Sequence, residues 1–380
     1  MKAYKGFNRD MTCRGFQYEE GKSYHEDEAV LCKKGFHACL SPLDVLYYYA
    51  PATSVYHEVI LDNVADTDIY GSIDDTKVAG KDITIGKRYS PIDIGLLQYN
   101  YLTERYPNRE VRVERNSEIP NKYTRNTVLF LSQGATAKNL RNCVVTAESF
   151  SSIEAYKSAI YADHKNVLDV DGQNFIHVGS ENTLDVYDSS IISVRSNNTL
   201  KAGMGNIIMS NDNNNISVIA GNRIHCRNGN SIHSTNNEFV DCENNNMIFM
   251  EDGIINADNS NFIHMVSSAD IEQASLVTCK NDNDIRGNIR MLIEAQMNNI
   301  IEINPYKYSR INAGPGSKLF LPTAEFTFCD EENVEEGKLR FDTWYETDGN
   351  GNVSRISIPQ HIEELIRTVK GERDDRARTN

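Results

Sequence analysis

The sequence predicts a mainly β protein: a parallel β-solenoid with a small α+β domain before it and a β-rich cap after it. The first observation is an eight-residue repeat, which reads from Asp171 as DGQNFIHV, GSENTLDV, YDSSIISV, RSNNTLKA, GMGNIIMS, NDNNNISV, IAGNRIHC, RNGNSIHS, TNNEFVDC and ENNNMIFM. Self-similarity at a short, fixed period is the signature of a solenoid. The second observation is that successive repeats alternate in polarity at their fifth position, which indicates two repeats in each coil.

Each repeat reads as one strand and one corner. Positions six and eight are apolar or small, as in Ile176 and Val178. Side chains alternate along a strand, so positions four, six and eight point to one side, and the apolar pair requires that side to be the interior. Gly, Asn, Asp and Ser fill positions one to three because they tolerate the backbone conformations of a tight corner.

Position four is nearly always Asn, which the strand geometry places inside the coil at the bend. A buried amide must be hydrogen-bonded, and the neighbouring coil offers the partners. A structural ladder of stacked Asn side chains is therefore favoured over a ligand site. The predicted ladder consists of Asn166, Asn174, Asn182, Asn198, Asn206, Asn214, Asn222, Asn230, Asn246 and Asn261.

Position five faces outward and alternates between apolar and polar residues, with Arg223 interrupting the apolar set. This alternation predicts a flattened coil of 16 residues with one apolar and one polar outer face. An exposed apolar stripe normally marks an interface, so we expect a homo-oligomer, dimer or trimer, or another protein partner on this face. The predicted interface residues are Phe175, Ile191, Ile207 and Phe239.

An intertwined trimer is the alternative to a single-chain solenoid. Repeats of the type Gly-Asn-x-x-Ile-x-Val also resemble the triple-stranded needles of phage tail spikes and secretion-system tips, in which each chain supplies one strand per turn. The alternation at position five favours the single-chain form, because an intertwined trimer gives no reason for a period of 16. Both forms remain open at this point.

Residues 1–88 are predicted to form the α+β domain. MKAYKGF and AVLCKKGFHAC suggest strands, and SVYHEVIL alternates like a strand packed on a core. SPLDVLYYYA predicts a helix with Ser41 as N-cap and Pro42 at its first position. The polar stretch DNVADTDIYGSIDDTKVAGKDITIG is expected to contain loops and edge strands.

The remaining boundaries follow from changes in periodicity. Residues 89–134 are predicted to form an amphipathic helix, opened by Ser90 and Pro91, and a charged linker or strand pair. The solenoid then occupies 135–321. Residues 322–359 read as a β cap with DGNGN as a hairpin turn and the only tryptophan, Trp344. Residues 360–380 are predicted to be a short helix and a charged tail.

The blocks AYKGF, CRGFQYEEGKSY, GFHAC and PLDVLYYY occur in this order in the first 85 residues. Together they resemble the N-terminal domain of an uncharacterised family carried by phages and prophage-bearing bacteria. In that family a repeat region and a closing segment similar to FDTWYETDGNGNVSRI at 341–356 typically follow. The resemblance implies a phage or mobile-element origin and brings no established activity.

The chain also resembles small ADP-ribosyltransferases in the order of its first elements. That order is a strand, a second strand with an aromatic residue or His, a helix and a further strand. Here the elements around Lys5, His37, 46–50 and 55–60 come in that order. The resemblance implies an NAD-using transferase with Lys5, His37 and Tyr49 as candidate catalytic residues. The sequence departs from this pattern in two ways. Lys5 stands where the family has His or Arg, and Lys lacks the planar guanidinium with which Arg binds a phosphate. No convincing catalytic Glu follows.

Charge and composition limit the partners. The chain has 54 Asp and Glu against 39 Lys and Arg, a net charge of -15, which argues against binding of nucleic acid or anionic membranes through bulk charge. It contains neither an apolar stretch of the ~20 residues that a membrane helix needs nor a signal-peptide core. A cytoplasmic location in the host cell, or a place in a virion, is therefore expected, with reduced thiols rather than disulfides.

No metal or cofactor is predicted. Four histidines at position seven face outward on two different faces and are best explained as surface residues: His177, His225, His233 and His264. Cys13, Cys32, His37 and Cys39 lack the spacing of a zinc site, so buried thiols are favoured. Two neighbouring carboxylates, Asp169 and Asp171, are expected by chance in an Asp-rich repeat and only weakly suggest a glycosidase.

The sequence thus supports two functional hypotheses. The first is a non-enzymatic binding or structural protein of phage type, whose solenoid is a scaffold for oligomerisation or partner binding and carries the N-terminal domain. The alternative is a transferase-like N-terminal domain on a solenoid stalk. An enzyme is the less favoured of the two.

Overall fold

The computed structural model confirms the predicted fold class. The chain is mainly β, with 54% strand and 7% helix, and a parallel β-solenoid of about 12 turns covers residues 110–320. The structure describes residues 1–65, 75–120, 122, 124–236, 238–266, 274–289, 291–303, 310–320, 344–348 and 353–357. Two compact units, Met1–Cys242 and Glu243–Asn380, are considered in turn. No helix in the described ranges is long and apolar enough to cross a membrane.

The N-terminal domain is built on an antiparallel sheet in the order β4-β7-β5-β1-β6, which closes because β7 also pairs with β6. Its core is formed by alternating apolar residues of these strands, such as Phe7, Val59 and Ile83. Its elements and the helix that follows are β1 (Lys2–Asn8), β2 (Thr12–Cys13), β3 (Phe16–Gln17), β4 (Ser23–His25), β5 (Phe36–Cys39), α1 (Asp44–Tyr48), a 3₁₀ turn (Pro51–Thr53), β6 (Ser54–Val64), β7 (Lys77–Tyr89) and α2 (Asp93–Arg105).

Two details of this domain differ from the prediction. Strand β7 has 13 residues and pairs with three other strands, although the sequence suggested loops and edge strands there. Its apolar residues are interrupted by Gly80 and Gly86, where neighbouring backbone lies too close for a side chain. The helix α1 has Leu43 as N-cap, because the Ser41 hydroxyl donates to Gln98 Oε1 (3.0 Å) instead of capping the helix.

The solenoid strands of the first unit alternate between two parallel sheets. We call the sheet of β8, β9 and the odd-numbered strands to β23 the helix-facing sheet, and that of the even-numbered strands the opposite sheet. The strands are β8 (Glu110–Val113), β9 (Val128–Leu131), β10 (Thr136–Arg141), β11 (Val144–Ala147), β12 (Ser152–Tyr156), β13 (Ala159–Ala162), β14 (Val167–Asp171), β15 (Phe175–Val178), β16 (Thr183–Val186), β17 (Ile191–Val194), β18 (Thr199–Ala202), β19 (Ile207–Ser210), β20 (Asn215–Ala220), β21 (Arg223–Cys226), β22 (Ser231–Asn236) and β23 (Glu238–Cys242).

The register confirms two repeats per coil. Phe175 pairs with Ile191 and Thr183 with Thr199, so each strand bonds to the strand two repeats further along the same chain. The pairing within one chain decides against the intertwined trimer. The solenoid begins at Glu110 and not at 135, because the charged segment predicted as a linker or strand pair supplies β8, which pairs in parallel with β9.

The position-four side chains stack in a ladder inside the solenoid. The backbone N–H of Asn182 donates to Asn198 Oδ1 (2.8 Å), and that of Asn198 to Asn214 Oδ1 (2.8 Å). The Asn198 amide also donates to the Gly179 carbonyl of the adjacent corner (3.0 Å). All ten residues predicted for the ladder are buried, and Ser158, Ser190 and Glu238 occupy the same position in other coils of the first unit.

The predicted exposed stripe is covered by the chain itself, so the expectation that it is free was wrong. Phe175, Ile191 and Ile207 point outward from the solenoid, yet they are only 1%, 0% and 7% exposed. Helix α2 lies against β9, β11, β13 and β15, and the stripe packs in one cluster with the two helices. The fourth residue, Phe239, is half-buried, with the Arg223 guanidinium 3.7 Å from its ring centroid.

The second unit contains further coils and an antiparallel pair. β33 joins β32 and β34 joins β33, both antiparallel, and the Trp344 ring stacks on Phe320 at 5.0 Å. The rest of the predicted cap and the helix and tail at 360–380 lie outside the described residues. The strands are β24 (Met247–Met250), β25 (Gly253–Ala257), β26 (Phe262–Met265), β27 (Ser275–Cys279), β28 (Asp284–Gly287), β29 (Met291–Ala295), β30 (Ile300–Ile303), β31 (Arg310–Ala313), β32 (Lys318–Phe320), β33 (Trp344–Thr347) and β34 (Val353–Ile356).

Candidate functional site

A cavity of about 530 Å³ lies in the N-terminal domain, between β1, β5, α1 and the segments before β3 and β5. This volume is within the range of small-molecule sites. Lys5, His37 and Tyr49, which the sequence named as conditional catalytic residues, all line it. The fold therefore brings the three together although they come from different elements.

Lys5 lies in the middle of β1 and is 6% exposed. Its ammonium donates to the His37 carbonyl (2.9 Å) and lies 5.5 to 6.0 Å from the ring centroids of Phe7, Tyr18 and Tyr49. Burial lowers the pKa of Lys5, while the rings and the carbonyl stabilise its charge. The next residue must be Gly6, because a Cβ there would overlap the Tyr49 ring.

His37 holds the loop in front of β5. Its Nε2 accepts the backbone N–H of Cys32 (2.9 Å), a residue with a left-handed backbone (φ 62°). Burial lowers the pKa of His37, and the nearby Lys77 and Lys5 lower it further. Because Nε2 accepts a hydrogen bond and the pKa is lowered, the imidazole is neutral. Its role is to orient the loop that contains Cys32.

Tyr49 and the thiols form the inner part of the cavity. The Tyr49 hydroxyl lies 2.8 Å from Cys13 Sγ, and burial raises the pKa of Tyr49. Burial also raises the pKa of Cys39 well above its usual value, so that thiol stays protonated. In the part of the chain that the structure describes, no three His, Cys, Asp or Glu side chains are arranged to hold a metal ion.

The rim contains residues that the sequence reasoning missed. Arg14, Lys33 and Lys77 line the cavity, and none of them has a carboxylate of the described residues within ion-pair distance. Lys34 differs, because it pairs with Glu28 (2.7 Å). For Arg14 the sequence offered a signal: a triplet of a basic residue, Gly and Phe occurs at 5–7, 14–16 and 34–36. The basic residue of each triplet lines the cavity.

Buried polar contacts join the N-terminal domain to the solenoid of the first unit. Gln98 of α2 is fully buried; it accepts from Ser41 and donates to Asn142 Oδ1 (2.7 Å). The Lys157 ammonium forms a buried ion pair with Asp44 of α1. Burial raises the pKa of the Asp44 carboxyl, and the Lys157 charge opposes that shift.

The other candidates do not come together into a site. His177 and His225 lie on the helix-facing sheet, His233 lies on the opposite sheet, and His264 belongs to the second unit. Asp169 and Asp171 are exposed on β14.

The comparisons with known proteins concern the same N-terminal domain. A model for a domain of unknown function, DUF7666, matches residues 1–94. The match contains every described residue that lines the cavity and ends within α2. It supports the resemblance to an uncharacterised domain and adds no activity. No curated protein and no solved structure matches the chain.

Proposed function

We propose that the chain is a non-enzymatic binding protein of phage or mobile-element type. In this proposal the solenoid is a rigid scaffold and the N-terminal domain, with its cavity, is the binding module. The observation that carries the proposal is the way in which α1 and α2 are fastened to the helix-facing sheet. Burying two charges costs desolvation free energy, which their attraction offsets only when the geometry is well defined. The buried pair of Lys157 and Asp44 therefore favours one fixed arrangement of the N-terminal domain on the solenoid.

The chemistry of the cavity also favours binding over catalysis. Lys5 is occupied by the His37 carbonyl, and the neutral His37 accepts a backbone N–H. The one carboxylate among the described lining residues, Glu26, accepts the N–H of Gly35 (3.1 Å). Nucleophilic catalysis needs a nucleophile within reach of a base, and the side chains named here are held in other contacts.

Replacing Lys157 with Met tests the fastening. The substitution leaves Asp44 buried without its counter-charge, and we expect a loss of about 3–5 kcal/mol in the free energy of unfolding. Hydrogen exchange of α1 and chemical denaturation measure the loss. Lys165→Met is the matched control, because Lys165 is an exposed solenoid residue that pairs with Glu181 at 3.5 Å. Equal stability of the two variants would argue against a fixed attachment.

A transferase is the second candidate, and the convergence of Lys5, His37 and Tyr49 on one cavity favours it. The reaction would break the bond between the ribose and nicotinamide of NAD and form a bond from the same ribose carbon to an acceptor. The acceptor's proton would pass to a base, for which Glu26, the one carboxylate among the described lining residues, is the candidate.

Incubation of the full chain with NAD distinguishes the two candidates. We expect no release of nicotinamide beyond the rate in buffer, and no difference between the wild type and the Lys5→Ala and His37→Ala variants. If the wild type released nicotinamide and the folded His37→Ala variant did not, the transferase would be the better proposal.

Homo-oligomerisation stays a prediction. Phe175, Ile191 and Ile207 no longer support it as interface residues, because they are already buried in one cluster with residues of α1 and α2. Light scattering of the full chain measures the oligomeric state, and a monomer at micromolar concentration would remove this part of the hypothesis.

A further inference from the structure

We propose that the cavity binds a small molecule that carries both a phosphate group and an aromatic ring, the chemistry of a nucleoside phosphate. Arg14, Lys33 and Lys77 would contact the phosphate, and the aromatic residues of the rim would contact the ring. The inference rests on the proposed binding function and names the class of ligand.

The first argument is the concentration of positive charge. Five cationic side chains and one carboxylate line the cavity among the described residues, in a chain with a net charge of -15. A cleft with charge of one sign raises the local concentration of oppositely charged ligands. Because this excess of positive charge is confined to the cavity, it favours a small anion over a long polyanion, which the negative charge of the rest of the chain would repel.

The second argument is that three of these five cations have no carboxylate partner among the residues that the structure describes. Arg14 and Lys33 are exposed and Lys77 is half-buried, and each lacks a carboxylate partner in the described parts of the chain. Other exposed lysines of this domain do have partners: Lys22 pairs with Glu19, and Lys34, which also lines the cavity, pairs with Glu28 (both 2.7 Å). The three cations come from separate segments, and a phosphate accepts such donors on several oxygens.

The third argument is the aromatic surface beside these cations. The Phe16 side chain is 49% exposed, and its ring lies 4.8 Å from that of Tyr18. Tyr48 also lines the cavity, with the Lys77 ammonium 4.3 Å from its ring centroid. Exposed rings next to cations suit a planar ligand group, which stacks on them. A bare phosphate would leave this surface and most of the 530 Å³ unoccupied.

Calorimetric titration of the full chain with ADP, adenosine and inorganic phosphate tests the inference. We expect ADP to bind at least about tenfold more tightly than either fragment, because only ADP meets both the cations and the rings. Arg14→Gln and Lys33→Gln should each weaken the binding of ADP about tenfold, since each removes a charge-assisted hydrogen bond to the phosphate. Lys87→Gln is the control, because Lys87 is an exposed lysine of β7 outside the cavity.

The other outcomes overturn the inference in different ways. Equal affinity for adenosine and ADP would exclude phosphate recognition, and equal affinity for phosphate and ADP would exclude ring recognition. Wild-type affinity in both cavity variants would exclude the named cations. Absence of ADP binding would overturn this inference alone, because hydrogen exchange in Lys157→Met tests the attachment of the domain without any ligand.

Discussion

Replacing Asn198 with Ala is expected to lower the free energy of unfolding of the first unit by about 3 kcal/mol or more. The Asn198 amide accepts the backbone N–H of Asn182 and donates to the carbonyls of Gly179 and Ser196. Truncation removes all these partners at once in a position that is 1% exposed. A buried group without a partner costs about 1–3 kcal/mol, and more than one such group is created here.

Urea denaturation and hydrogen exchange of β16, β18 and β20 measure this effect. Loss of protection should be largest in these strands, because each coil of a solenoid contacts only its neighbours. Thr199→Ala is the control: Thr199 is next in sequence and exposed on the opposite sheet, so its replacement should change stability by less than about 0.5 kcal/mol. Equal effects of the two substitutions would contradict the structural role of the ladder.

Replacing Phe175 with Ala is expected to cost about 3–5 kcal/mol and to loosen α2. The Phe175 ring lies 5.5 Å from that of Tyr161, and both reach the backbone of α2 at Gly95, where a Cβ would overlap them. Truncation leaves a void under the helix. The loss of protection should therefore be concentrated in α2, and hydrogen exchange of that helix is the direct measurement.

Thr183→Ala is the matched control for Phe175, because Thr183 holds the same position of the repeat on the opposite sheet and is exposed. It should leave the protection of α2 unchanged. If Phe175→Ala kept α2 protected and changed the molecular mass in light scattering instead, the residue would belong to an interface between chains.

The solenoid could be predicted because its determinants are local and repeated. The period, the inward apolar pair and the frequent Asn at position four recur along the solenoid, so the repeats support one another. The cover of the stripe could not be predicted in this way. Alternation at Phe175 and Ile191 shows which side chains face outward, but a period carries no information on what lies above them. Helix α2 was recognised as amphipathic, and its apolar side needed a partner of the kind that the stripe offers.

The residues of the cavity could be predicted only in part. Lys5, His37 and Tyr49 were named only through a resemblance in the order of elements, and the structure places them together. Arg14 and Lys33 were missed, because they lie in short connections whose position depends on the closure of the sheet through β7. That segment was itself predicted to contain loops and edge strands, since Gly and charged residues interrupt its apolar pattern. Contacts between distant segments cannot be read from local periodicity.

The 16-residue register determines which changes in length the chain can tolerate. Adding or removing two whole repeats would bring every side chain back to its own sheet and continue the Asn ladder. A change of a single repeat would keep the interior intact, since both repeats bury the same positions, but it would exchange the two outer faces beyond that point. Phe175 and its equivalents would then face solvent and threonines would face α2. Insertions and deletions in related chains should therefore occur in pairs of repeats alongside the helix, while single repeats remain acceptable where nothing packs on the outer faces.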